Sequence, residues 1–236
     1  MTSPEVQRLV QRGWQRIIIT SGSIEQHGYH LPLETDLVLA EALAVRAALQ
    51  LGRTLVAPVI PIGCAAHHMA FAGTVSVSRE AFMAYVEQVA ESVIAHGFTQ
   101  LLFTAFHGGN FAPSLEAAQR VQRAHPAIEV HTALDLHQLF AVTNGVIREC
   151  FPDRTALDCH AGCVETSMLW ALSQAYVRVG AVANGAECTT LPSLHDMRRL
   201  SATGVVGIVD GYSTAIGERL FARIVDFMIA SWGLGA

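Results

Sequence analysis

The sequence predicts an α/β protein built on a mostly parallel sheet with helices on both faces. Short β-rich runs alternate with longer segments of helical periodicity along the chain. Because parallel strands need a crossover between them, this alternation implies right-handed strand–helix–strand units. No repeat, low-complexity tract or linker divides the 236 residues, so we predict one domain over residues 1–236.

The predicted strands are short apolar runs bounded by turn residues. Residues 16–20 (RIIIT) are mostly β-branched and are followed by the turn residues Ser-Gly-Ser, and residues 99–106 (TQLLFTAF) are the clearest core strand. The predicted strands are 16–20, 54–60, 74–77, 99–106 and 128–134.

The predicted helices carry apolar residues at helical spacing and have recognisable ends. One stops at Gly52, and another begins at a serine cap and stops at Gly97. The predicted helices are 36–51, 78–96, 111–124, 162–175 and 213–231, and residues 204–209 form a short apolar segment.

The composition excludes several classes of protein. Hydrophobic residues make up 51% of the chain and charged residues 15%, the reverse of a disordered chain. A net charge of −5 and the lack of a Lys/Arg-rich run argue against a nucleic-acid partner. No run approaches the ~20 apolar residues of a membrane span, and the N-terminus carries no secretory signal. Five cysteines at irregular spacing indicate reduced thiols in the cytoplasm, and the low charge suggests a homo-oligomer.

A first group of polar residues follows the first predicted strand. Glu25 and His27 are two positions apart, so their side chains point to the same side of an extended backbone. A carboxylate and an imidazole side by side make half of a site for a divalent ion. Asp36 stands at the start of the next helix, where it could instead be the N-cap.

A second group follows the core strand. His107 stands at the strand's carboxyl end, and Gly108 and Gly109 leave the backbone open to a ligand. Asn110 fits the N-cap of the following helix, but a capped turn does not explain the histidine. Ligands of open α/β sheets bind outside the carboxyl ends of the strands, which is where both groups fall.

A third group occupies positions 158–167 (DCHAGCVETS). Glu165 lies near the start of an apolar helix, where a carboxylate also suits the helix dipole. Cys159 and Cys163 with His160 could begin a zinc site, but no second cysteine pair exists to close it. Three carboxylates and two or three histidines at strand-to-helix junctions instead favour one shared metal centre.

Together these motifs resemble the creatininase (creatinine amidohydrolase) family. The matching segments are Glu25–Asp36 (EQHGYHLPLETD), Gly73–Ser76 (GTVS), His107–Asn110 (HGGN) and Asp158–Ser167, within a resemblance over residues 16–225. The resemblance implies a three-layer α/β/α sandwich, two divalent metal ions (zinc, manganese or iron) and a homo-oligomer such as a hexamer.

The resemblance also assigns metal ligands by position. Glu25 and His107 would bind one ion, His27 would bind the other, and Asp36 would bridge them. Creatininase has a glutamate two residues after the second-strand histidine, where this chain has a glycine. We predict that Glu165 takes the place of that glutamate.

These residues predict a hydrolytic mechanism. Two divalent ions lower the pKa of a bound water, so a metal-bound hydroxide attacks an amide carbon while one ion polarises the carbonyl oxygen. His160 is the predicted proton donor to the leaving nitrogen, Asp158 orients or charges His160, and Glu165 completes the catalytic set.

Four further residues are predicted to contact the substrate: Ser76, His67, Gly108 and Asn110. His67 and its neighbour His68 lie in a glycine-flanked loop and could both line the substrate pocket, and a polar loop would account for both at least equally well.

The first functional interpretation is an amidohydrolase of a small cyclic amide, such as creatinine, a lactam or an imide. A formamide hydrolase or a peptidase of the mycofactocin-maturation type is the alternative within the same chemistry, and a metal-holding family member without turnover is another. No arginine pair is evident for a phosphorylated formamide unless Arg198 and Arg199 fold over the site. A dinucleotide-binding protein is excluded because no G-x-G-x-x-G follows the first strand.

Overall fold

The computed structural model describes residues 1–191 and 196–234. In chain order its elements are α1 (Ser3–Gln11), β1 (Arg16–Ser21), α2 (Thr35–Leu51), β2 (Thr54–Val56), α3 (Arg79–Ala95), β3 (Gln100–Ala105), α4 (Phe111–Ala124), β4 (Glu129–Ala133), α5 (Leu136–Cys150), α6 (Cys163–Leu172), α7 (Met197–Leu200) and α8 (Thr214–Ser231).

The four strands of the described residues form one parallel sheet in the order β2-β1-β3-β4. The register places Ile18 opposite Leu102 on β3 and opposite Val56 on β2. Because every strand runs the same way, all four carboxyl ends lie at one edge of the sheet, and the loops that follow them meet there.

The two faces of the sheet are both buried, which produces three layers. On β1, Ile17 and Ile19 pack into one core with the buried faces of α3 and α4, while Ile18 packs into the other core with α2 and α8. Helix α1 adds Leu9 to the α3–α4 side. Strands buried on both faces read as continuous apolar runs, and the predicted α/β/α class with a parallel sheet is confirmed.

Two of the predicted strands were wrong in extent or kind. The predicted strand 54–60 ends at Val56, and the backbone of Ile60 pairs with the sheet through one isolated bridge to Ser21. The predicted strand 74–77 is a loop in which Val75 makes a single antiparallel bridge to Ile24. Both segments lie beyond the edge of the sheet, where the chain turns to build the site rather than to extend the ladder.

The main difference between the predicted and the observed helices is a helix that was not predicted. Helix α5 lies where no helix was predicted, because the residues Thr143, Asn144 and Gly145 weaken its helical pattern. Its buried face nevertheless includes Val146 and Ile147, and tertiary packing stabilises it. Helix α6 ends at Leu172, earlier than predicted.

Within the described residues, none of the helices combines the length and the hydropathy that crossing a membrane requires.

Candidate metal centre

Four of the predicted ligands converge at the carboxyl edge of the sheet. Glu25 and His27 lie in the loop after β1, His107 follows β3, and Asp36 is in the first turn of α2. Gly22 makes this convergence possible, since a Cβ there would lie 2.7 Å from the backbone nitrogen of the residue after Asp36. The end of β1 can therefore pack directly against the start of α2.

One half of the site joins Glu25, Asp36 and His107. Oε2 of Glu25 lies 2.9 Å from Nδ1 of His107, and Oδ2 of Asp36 lies 3.3 Å from the same nitrogen. All three side chains are buried. Nε2 of His107 donates to the carbonyl oxygen of Cys64 at 3.2 Å, so Nδ1 is the nitrogen left with a lone pair toward the carboxylates.

The other half joins His27, Asp36 and Glu165. Nε2 of His27 lies 3.2 Å from Oδ1 of Asp36 and 3.8 Å from Oε1 of Glu165. Nδ1 of His27 donates to the carbonyl oxygen of Glu25 at 3.1 Å, which leaves Nε2 facing the carboxylates. Asp36 thus presents one oxygen to each histidine, as a bridging ligand must.

Unpartnered polar atoms show that this donor set suits a divalent cation. Oε2 of Glu25, Nε2 of His27 and Oδ2 of Asp36 are fully buried and have no hydrogen-bond partner within the described residues. A buried polar atom without a partner costs about 1–3 kcal/mol, and more for a charged group. One ligand atom each from Glu25, His27 and Asp36 lies within 4.8 Å of the others, a spacing that a bound ion would satisfy.

The electrostatics of the site also favour a positive charge at its centre. Burial alone would lower the pKa of His27, but Asp36 and Glu165 outweigh it and raise that pKa well above its usual value. Glu25 and Asp36 do the same for His107. A divalent ion would supply the positive charge that these carboxylates otherwise draw from protonated imidazoles.

His160 reaches the same centre from the third motif. It pairs with Val206 through backbone hydrogen bonds of 3.0 and 2.9 Å, so the predicted apolar segment 204–209 holds it in place. Nδ1 of His160 lies 3.9 Å from Oε1 of Glu25, and its ring lies 4.4 Å from that of His27.

Asp158 differs from its predicted role as the partner of His160. Its carboxylate accepts a hydrogen bond from the backbone of Val164 at 3.0 Å, in the first turn of α6. Burial, with Glu165 nearby, raises the pKa of Asp158 to about 7. Asp158 therefore positions the start of the helix that carries Glu165, rather than contacting the imidazole.

Two further residues lie among these groups: Gln26, which the sequence did not single out, and His68, for which it left a pocket residue and a polar loop open. His68 is buried, with Nε2 at 3.3 Å from Oε1 of Glu25. Gln26 is also buried, and its amide nitrogen lies 2.8 Å from Nδ1 of His68 and 2.9 Å from Nε2 of His160. The only sequence signal for them was position: Gln26 stands between two predicted ligands, and His68 in a glycine-flanked loop.

The cysteine alternative is not supported within the described residues. Every metal-binding group found there consists of glutamate, histidine and aspartate. Burial raises the pKa of Cys159 to about 12 and that of Cys163 to about 11, which disfavours the thiolate that zinc would bind.

Comparison with known proteins shows which family the chain belongs to. The sequence model of the family described as Creatininase: Creatinine amidohydrolase matches residues 1–231. A mycofactocin precursor peptide peptidase from Mycobacterium ulcerans (strain Agy99) is 31% identical, over 94% of this chain and 87% of its own length. The chain belongs to the creatininase family.

Solved structures of creatininases share the fold. A manganese creatininase superposes with a TM-score of 0.84 at 23% identity, covering 98% of this chain and 94% of that one. A mutant creatininase of the Zn–Zn type gives a TM-score of 0.83 at 22% identity, covering 98% and 96%. The predicted family is confirmed.

The chain departs from the creatininase pattern at Gly109, and the structure explains why no side chain stands there. A Cβ at this position would overlap the carbonyl oxygen of Cys64 and lie 2.7 Å from Nε2 of His107. Those two atoms form the hydrogen bond that orients His107. Position 109 therefore has no room for a ligand, and Glu165 is the additional carboxylate that lies beside His27.

A cavity of about 200 Å³ opens onto the centre. Its polar floor includes Glu25, Asp36, His107 and His160, together with the predicted substrate contacts His67 and Gly108. Its walls are mostly apolar and come from the start of α4, from α5, from the start of α7 and from loops: Phe106, Phe111, Leu136, Leu139, Phe140, Met197 and Val206. Arg198 does not line it, because its guanidinium stacks on Phe71.

Two predicted substrate contacts, Ser76 and Asn110, do not line the cavity. Oγ of Ser76 accepts a hydrogen bond from the backbone of Ala65 at 2.9 Å, which shapes the loop carrying His68. Oδ1 of Asn110 accepts from the backbone of Cys64 at 2.9 Å, and its amide nitrogen donates to the carbonyl oxygen of Gly22 at 2.8 Å. Both residues fix loops beneath the site.

Replacing Asn110 with alanine is therefore expected to destabilise the protein rather than to change substrate binding. The change leaves a buried N–H and a buried carbonyl without partners, so we expect a loss of about 2–4 kcal/mol in the free energy of unfolding. Urea denaturation followed by circular dichroism measures it. A drop in affinity for substrate with unchanged stability would instead restore Asn110 as a substrate contact.

Proposed function

We propose that the chain is a metal-dependent hydrolase of amide C–N bonds. In this proposal Glu25, His27, Asp36, His107 and Glu165 hold two divalent ions. The observation that carries the proposal is the position of Asp36, whose two oxygens lie 3.2 Å from His27 and 3.3 Å from His107. A buried carboxylate between two imidazoles, each with a second carboxylate beside it, is a binuclear donor set.

The bound ions would supply a water of lowered pKa and would polarise the amide carbonyl. The chain's own residues hold the ions and orient the metal-binding rings. Glu25, Asp36 and Glu165 carry the negative charge that holds the ions, and the hydrogen bonds made by His27 and His107 fix the rings. The apolar walls limit water at the reacting bond.

His160 is the residue that would protonate the leaving nitrogen. Its Nδ1 faces Glu25 at the floor of the cavity, so a proton held at that atom would lie beside the reacting amide. Replacing His160 with alanine should leave both metals bound and lower kcat by about 10²–10⁴-fold. Steady-state kinetics together with elemental analysis measure this. Full activity in the variant would remove His160 from the mechanism.

Two observations favour a short peptide as substrate over a small cyclic amide. The chain is 31% identical to the M. ulcerans peptidase over most of both lengths. The apolar walls would also accept side chains that a compact ring such as creatinine does not carry. The family description, creatinine amidohydrolase, supports the cyclic amide, and we retain it as the second candidate.

A substrate panel separates these candidates. Purified protein loaded with manganese or with zinc is incubated with creatinine, cyclic imides, formamides and short peptides with apolar or charged termini, and products are followed by mass spectrometry. We expect amide cleavage, fastest for peptides with apolar side chains, and none in an Asp36→Ala control. Metal binding without cleavage of any class would instead support a metal-holding member without turnover.

Three predictions about the protein as a whole are part of the same proposal. They are one domain over residues 1–236, a homo-oligomer and a cytoplasmic location. We retain zinc, manganese and iron as the candidate metals, since carboxylate and imidazole ligands suit each of them.

A further inference from the structure

The side chain of Gln26 lies between two histidines of the candidate centre and contacts both. Its amide nitrogen is 2.8 Å from Nδ1 of His68 and 2.9 Å from Nε2 of His160. The proposed function gives Gln26 no role. It lies between two proposed ligands in sequence, and its side-chain amide and backbone carbonyl contact two neighbouring rings.

Two backbone groups determine the orientation of the Gln26 side-chain amide, that is, which of its terminal atoms is oxygen and which is nitrogen. The N–H of Gly28 donates to Oε1 at 3.0 Å, and the carbonyl oxygen of Gly204 accepts from Nε2 at 3.3 Å. Turning the amide over would place two donors together at Gly28 and two acceptors together at Gly204. Gly204 also has to be glycine, because a Cβ there would overlap the amide. Nε2 is therefore the donor that faces the rings.

This donor determines the tautomer of His68. Nδ1 of His68 can only accept from Gln26, so its proton is on Nε2. That Nε2 lies 3.3 Å from Oε1 of Glu25 and donates toward it. His68 therefore holds one oxygen of Glu25, while Oε2 faces His107. In this state His68 has no free lone pair for a metal, although it lies close enough to be a ligand.

A count of donors and acceptors determines the tautomer of His160. Its Nε2 lies near one acceptor, the carbonyl oxygen of Gln26 at 2.8 Å, and near one donor, the amide of the same residue. The amide has two protons, and one is used by His68. If Nε2 of His160 donates to the carbonyl and the second amide proton goes to Gly204, both carbonyl oxygens have a donor, and the 2.9 Å contact between the two Nε2 atoms is not a hydrogen bond. In the opposite assignment Nε2 of His160 accepts the second amide proton, and the buried carbonyl oxygens of Gln26 and Gly204 are both left without a donor.

We propose that Gln26 is a positioning residue that sets both tautomers, through its side-chain amide for His68 and through its backbone carbonyl for His160, with the proton on Nε2 in both rings. The lone pair of His160 is then on Nδ1, the atom that faces Glu25 and the cavity. The tautomers follow from the hydrogen bonds alone, and only their consequence for catalysis rests on the proposed function.

The consequence for catalysis is that the tautomer of His160 sets the order of its two proton transfers. A neutral His160 with a bare Nδ1 must first accept a proton there before it can give one up. It would take the proton from the attacking water as the new O–C bond forms, and pass it to the nitrogen as the C–N bond breaks. The proton count balances.

Nitrogen NMR of the metal-free, full-length protein tests the tautomers directly. Long-range ¹H–¹⁵N spectra of ¹⁵N-labelled protein distinguish protonated from unprotonated ring nitrogens, and His68→Asn and His160→Asn variants assign the two signals. We expect a protonated Nε2 and an unprotonated Nδ1 in both rings. A protonated Nδ1 in either wild-type ring overturns the proposal, whether or not the variants below fold.

A substitution of Gln26 adds a causal test. Gln26→Glu replaces the donor with an acceptor, so we expect Nδ1 of His68 to become protonated. In the manganese-loaded enzyme we expect kcat to fall about 10–100-fold with little change in KM. Gln122→Glu is the matched control, since Gln122 bonds only the backbone of Ile128 and Val130. An unchanged tautomer of His68 in Gln26→Glu would overturn the proposal, whereas the backbone carbonyl that sets His160 is kept in this variant. The spectra need neither metal nor substrate, so their result tests the tautomers independently of whether the protein is a hydrolase.

Discussion

Replacing Asp36 with alanine is expected to abolish the binding of both metal ions and nearly all hydrolysis. Within the described residues, its carboxylate is the only one that lies within 4 Å of a ring nitrogen of both His27 and His107, so each half of the site loses an oxygen at once. Loss of several kcal/mol of metal-derived transition-state stabilisation corresponds to a fall in kcat/KM of about 10³-fold or more. Elemental analysis of the dialysed protein and kinetics on a cleaved substrate measure the two effects.

A surface aspartate provides the control for this experiment. Asp226 is exposed on α8 and, among the residues that the structure describes, bonds only to Gln50, so Asp226→Ala should keep full metal content and activity. Circular dichroism should show a folded chain in both variants. Two metals per chain retained in Asp36→Ala would contradict the bridging assignment.

Adding a side chain at Gly109 is expected to damage the site rather than to complete it. In Gly109→Ala the new Cβ would meet the carbonyl oxygen of Cys64 and Nε2 of His107, which must then separate. We expect a loss of about 1–3 kcal/mol in stability and weaker metal binding at the half that contains His107. Gly109→Glu, which restores the residue of the creatininase pattern, should lower stability and metal binding at least as much.

Gly145 supplies a matched glycine for comparison. It lies inside α5, and a Cβ there would have no atom within 4 Å. Gly145→Ala should leave activity unchanged and raise stability by about 0.5–1 kcal/mol, because alanine favours a helix. If Gly109→Glu binds metal more tightly than the wild type, the explanation of the missing glutamate by crowding is wrong.

The sequence predicted the site best where chemistry and local geometry agree. Glu25 and His27 could be placed together because alternate residues of an extended segment share a side. Asp36 could equally have been a helix N-cap, and only the fold shows its carboxylate directed at the two histidines. The resemblance to creatininase resolved that ambiguity before any coordinates did.

The residues that the sequence missed or misassigned depend on contacts between distant segments. Asn110 was read as a cap or a substrate contact, but its partners are Ser21, Gly22 and Cys64, which lie more than 40 positions away. His68 gives no periodic signal, because its loop is held by such tertiary bonds. Local patterns carry no information about which loops pack together at the edge of a sheet.

The fold was also predicted well where a local sequence signature exists and poorly where it does not. Continuous apolar runs predicted the central strands, since burial on both faces leaves a clear local signature. Helix α5, which supplies much of the cavity wall, was missed because Gly145 and its polar neighbours obscure its pattern. The part of the chain most relevant to substrate choice was therefore the part that the sequence described least.

Anomalous X-ray diffraction from crystals of the manganese-loaded protein tests the central claim most directly. We expect two manganese peaks, one on each side of the Asp36 carboxylate, with Glu25 and His107 at the first and His27 and Glu165 at the second. His68 should contact neither. A single ion that leaves Asp36 uncoordinated, at saturating manganese, would contradict the account.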